Sequence, residues 1–130
     1  MEIKYYHQLY FGSSLVNKEK RGIIAFLNKL LKKEQTDNEK KLVKEFETLE
    51  LDKSIYVLTV SSNEFQRLEF YKTHYLKQEF FNDATIFVVG FAHGYDEARE
   101  LVKVIMEDTL IKTQGYQIKN LLRPEAFTTR

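Results

Sequence analysis

Two short, dry runs constrain this chain more than anything else in it: Ser54-Ile55-Tyr56-Val57-Leu58-Thr59-Val60 and Thr85-Ile86-Phe87-Val88-Val89-Gly90. Both are rich in β-branched and aromatic residues, and both are apolar on each of the faces that successive side chains alternate between. Strands of that kind belong in the middle of a sheet. The rest of the chain then has to supply the neighbours and the covering layers.

Around these two runs the remaining elements fall into order. Ile3 to Phe11 is rich in Tyr and suits a strand, broken by Gly12-Ser13-Ser14. From 17 to 34 the apolar positions Ile23, Ile24, Leu27, Leu30 and Leu31 recur at helical spacing. Thr36-Asp37-Asn38-Glu39 has the capping-box form and opens a second helix over 37–49, with Leu42, Val43, Phe46 and Leu49 as its stripe. Ser61-Ser62-Asn63 is a turn, and Phe65 to Tyr71 alternates like a strand with one wet face. Residues 54 to 71 therefore read as an antiparallel hairpin, with the strand at 84–90 beside Ile55 to Val60. Thr73 to Phe81 favours a short helix. Tyr95 to Asp108 is the clearest helix, burying Ala98, Leu101, Val102 and Ile105 behind Gly94, with Asp96 and Glu97 at the positive end of its dipole. Gly115 is expected to end or bend the segment beyond Asp108. The expected fold is α+β (mixed α/β): a sheet of three or four strands with helices mainly on one face. Residues 1–123 form one domain, and 124–130 are a frayed tail.

Composition agrees with a single core in a chain of 130 residues. Cysteine is absent, which excludes disulfides, Cys-based zinc sites and thiol nucleophiles. The first residues lack a basic stretch followed by an apolar run, so no secretory signal is expected, and the cytoplasm is the default compartment. Net charge is +1, but it is unevenly distributed: residues 17–44 hold nine basic and four acidic residues, and 45–110 hold thirteen acidic and six basic ones. Solvated helix faces explain such runs most simply.

Val88-Val89-Gly90-Phe91-Ala92, followed by Gly94-Tyr95-Asp96-Glu97-Ala98 and Glu100-Leu101-Val102, resembles a group of small uncharacterised bacterial proteins. The likeness runs back through Ile55-Tyr56-Val57-Leu58 and Leu68-Glu69-Phe70 to Leu76 and covers about half of the chain. The resemblance implies a bacterial, cytosolic origin and carries no activity.

Four constellations bear on chemistry. A helix beginning just past a buried strand offers free N–H groups to an anion, which makes Gly90, His93 and Gly94 a ligand-binding candidate. Neither nucleotide-binding glycine fingerprint is present, and close helix–strand packing explains the same glycines. His7, His74 and His93 are not spaced as metal ligands, so no metal or other cofactor is expected. Glu69 and Lys72 fall on opposite faces of a strand, which argues against a metal-dependent nuclease, and no nucleophile elbow is present. Nucleic acid is an alternative partner through Lys29, Lys32, Lys33, Lys40, Lys41 and Lys44, although a pI of about 7.9 is low for that role. Eight tyrosines and ten phenylalanines are many for one small core. Their surplus, at Tyr5, Tyr6, Tyr10, Phe11 and Tyr75, points to an interface with a second copy or another protein. The leading expectation is a non-enzymatic interaction module, homodimeric or binding a protein partner, with no membrane involvement. The alternative is a small regulatory domain that binds an anionic ligand or nucleic acid through basic helices in 17–44 or the Gly90–Gly94 turn.

Overall fold

The computed structural model describes residues 1–15, 37–61 and 65–129. The helix expected over 17–34 and the proposed cap at Thr36 lie outside the described residues. Five strands form one sheet: β1 (Glu2–Phe11), β2 (Ile55–Val60), β3 (Leu68–Lys72), β4 (Thr85–His93) and β5 (Phe127–Thr128). Their order is β3-β2-β4-β1-β5. Both dry runs are strands, as their residues dictate, and they lie side by side and antiparallel, with Val57 opposite Phe91. β1 runs parallel to β4 on its other side, pairing Glu2 with Thr85. The expected hairpin is β2–β3, with Leu58 opposite Phe70. No described helix is long and apolar enough to cross a membrane.

Helices pack on both faces of this sheet, not mainly on one. Helix α1 (Asp37–Glu47) presses Val43 and Phe46 onto Tyr5, Val57, Val88 and Phe91. The Phe46 ring meets Phe91 edge-on at 4.9 Å and Tyr5 at 6.4 Å. The Tyr5 hydroxyl reaches the Glu47 carboxylate at 3.1 Å, giving the buried ring a partner for its polar end. Helix α2 (Tyr95–Thr113) covers the opposite face with Ala98, Leu101 and Ile105 over Leu58, Val89 and Ala92. A chain dry on both sides of β2 and β4 needs both layers, because either face left bare would expose a run of Val, Leu and Phe.

Three boundaries differ from the sequence expectation. Helix α2 continues to Thr113, and the left-handed residue that closes it is Gln114 at φ 60°, not Gly115. The segment 73–81 forms two tight 3-10 turns, Thr73–Lys77 and Glu79–Phe81, in place of a helix. Residues 124–129 are no frayed tail: Phe127 and Thr128 pair with Tyr6 and Tyr5, which makes five strands rather than three or four. Phe127 is buried among Tyr6, Phe65 and Phe87, with ring centroids 5.4–5.8 Å apart.

Candidate functional site

The order of the sheet leaves β3 at one edge, with no strand beyond it among the described residues. Alternation along β3 sends its side chains to two different surroundings. On the α2 side, Phe70 lies 6.0 Å from the Tyr56 ring and 5.5 Å from Tyr95, and the two tyrosine rings are 6.3 Å apart. Three rings thus pack mutually where the sheet passes out from under α2. Tyr95 is 55% exposed, and the Arg99 guanidinium lies over its face at 5.9 Å. Stacking of a planar cation on an aromatic face is favourable even at a wet site.

On the α1 side, Glu69 and Tyr71 form one wall of a cavity of about 640 Å³ at the end of the sheet. Thr59 of β2 and Ser61 just past it, Thr85 and Ile86 of β4, and Tyr75 and Phe81 of the 3-10 turns with Gln78 between them complete most of the remainder. Tyr71 stacks on Phe81 at 6.0 Å. Burial pushes the Tyr71 phenol above its ordinary range, and the nearby Glu69 carboxylate adds to the rise, while the Thr59 hydroxyl pulls the other way. The described lining contains one carboxylate and no Lys, Arg or His.

The residues expected to bind a ligand at the β4-to-α2 passage are placed differently. Gly90 lies inside the sheet, where an added Cβ would come 2.4 Å from the Tyr10 carbonyl oxygen, so its bareness serves strand packing. Gly94 precedes α2, and His93 is exposed at the end of β4. The His93 backbone N–H donates to the Glu97 carboxylate at 2.9 Å, and the Ser14 N–H and hydroxyl donate to the same group at 3.3 and 3.0 Å. The Glu97 carboxylate thus ties the end of β4 to the turn after β1 and brings a negative charge close to the start of α2. Gly12 lies against the same group: a Cβ there would fall 1.8 Å from Glu97 Oε1, so a larger residue would have to displace that side chain.

The aromatic residues expected at an interface also separate. Tyr5 and Tyr6 are 2% and 3% exposed and fill opposite faces of the core, so neither forms a contact surface. Tyr10 and Phe11 are partly covered, and the Tyr10 hydroxyl donates to Asp108 of α2 at 2.8 Å. Of the five, Tyr75 alone is exposed, at the rim of the cavity. Tyr56, Phe70 and Tyr95 escape a reading of the sequence because they come from three separate elements. Their link is the β2–β3 register, which puts Phe70 diagonally across from Tyr56.

Lys40, Lys41 and Lys44 stand exposed on α1, where Lys41 lies 3.9 Å from Glu45. Lys29, Lys32 and Lys33 lie outside the described residues. The three histidines do not converge: among the described residues no three His, Cys, Asp or Glu side chains gather closely enough to hold a metal ion. His7 packs on the Tyr6 ring at 4.5 Å and His74 on Tyr75 at 4.8 Å. No family model matches this chain, and no curated protein or solved structure matches it either.

Proposed function

We propose that the protein is a non-enzymatic interaction module that pairs with a second copy of itself along the outer edge of β3. The observation that carries this reading is the packed cluster of Tyr56, Phe70 and Tyr95 beside that open edge. Aromatic rings and arginine are the residues most enriched where protein interfaces are buried, and Arg99 accompanies them here. An edge strand presents backbone N–H and C=O groups to another strand. A twofold axis through Phe70 would set Phe70 against its copy, Glu69 against Tyr71, and Lys72 against Leu68. No like charges then stand directly opposite, as a self-complementary pairing requires. The rings of both copies would close over the join.

Light scattering across a dilution series tests this reading. Wild type is expected to move from dimer to monomer on dilution, and Tyr95→Glu is expected to be monomeric throughout. Tyr95 is 55% exposed and lies outside the buried core, so the variant is expected to keep its fold, which its circular dichroism checks. A wild type that stays monomeric at every concentration would end the proposal.

A further inference from the structure

The geometry points to a second site, on the inner side of the same strand: the cavity behind β3 receives a small organic ammonium ion. Its volume of about 640 Å³ is that of a small-molecule pocket. Its chemistry selects for positive charge. Tyr71, Tyr75 and Phe81 bring three aromatic rings to the wall, and the face of each ring carries negative potential. Glu69 supplies the one carboxyl group of the described lining and stands close enough to Tyr71 to disfavour ionisation of its phenol. No basic side chain of the described lining opposes a cation there. An anion would meet the carboxylate unaided, and a neutral apolar molecule would leave the Glu69 carboxylate with no opposite charge. An alkylammonium group satisfies both sets of groups: its methyl or methylene surface lies against the rings, and its charge against Glu69.

The probe pair is choline and 3,3-dimethylbutan-1-ol, which have the same shape and differ by the positive charge. Amide shifts in a ¹⁵N-labelled sample are followed through a titration with each. Choline is expected to move the signals of Thr59, Glu69 and Tyr71, and to bind about tenfold more tightly than the neutral alcohol. Glu69→Gln is expected to remove most of that preference; because Glu69 is exposed, the variant keeps its fold and its unliganded spectrum serves as the check. Equal binding of choline and 3,3-dimethylbutan-1-ol would overturn the assignment, as would choline shifts confined to residues elsewhere or absent up to tens of millimolar. Tyr95→Glu is expected to bind choline as wild type does, so the outcome is separate from that of the self-association test.

Discussion

At Gly90 the Tyr10 carbonyl of β1 lies where any larger residue would place its first side-chain carbon. The close approach coincides with a bulge: Leu58 stands opposite Gly90 and Thr59 opposite Val88, which leaves Val89 as the extra residue. Gly90→Ala must therefore push two central strands apart in a fully buried region. The expected cost is about 1–3 kcal/mol, as for other overpacked cores, read as a lower urea midpoint at unchanged slope. Tyr10 offers a different residue-level test. Burial, then its hydrogen bond to Asp108, holds its phenol well above the usual tyrosine range. In the unfolded chain that phenol ionises near pH 10, so above about pH 10 the folded state binds the proton that the unfolded state has lost. Its contribution is complete below that pH and declines as the solution becomes more alkaline. Tyr10→Phe is expected to flatten the alkaline fall in stability, followed by denaturant unfolding at pH 9 to 11, roughly the span either side of the free phenol's pKa. Some slope will remain, because Tyr6 and Tyr71 are shifted in the same direction.

Single elements differ in how plainly they are written in the sequence. β2 and β4 are legible because each satisfies two surroundings at once, and α2 because its buried positions follow a 3.6-residue period. β5 is not legible. Two residues after Pro124 carry no periodicity, and what makes them a strand is the unpaired outer edge of β1, which exists only once β1 has docked on β4. Phe65 reads in sequence as the start of a strand. It instead takes a positive φ of 53° and turns its ring inward against Phe87 and Phe127. A tertiary contact there outweighs the steric cost of an unusual backbone. The buried ring of Phe127 carries the element-scale prediction. Phe127→Ala is expected to cost about 3–5 kcal/mol in chemical denaturation, a loss that a frayed tail would not show. The candidate site shares the obscurity of β5. Each of its rings looks like ordinary core material until register and order put Tyr56, Phe70 and Tyr95 together at one margin.

The whole molecule is a sheet sealed from both sides, and its charges follow that arrangement. The exposed lysines Lys40, Lys41 and Lys44 crown α1, while α2 starts with Asp96 and Glu97 and carries Lys112 in its last turn. The parallel partnership at the centre joins Glu2 to Thr85 and Tyr5 to Val88. Because β1 pairs with a strand from the second half of the sequence, loop closure over that separation must precede the contact that rewards it. During synthesis on a ribosome β1 is made before β4, so Tyr5 and Phe11 lack their sheet neighbours until the strand around Val88 emerges. A chaperone that shields aromatic stretches would act on β1 over that interval.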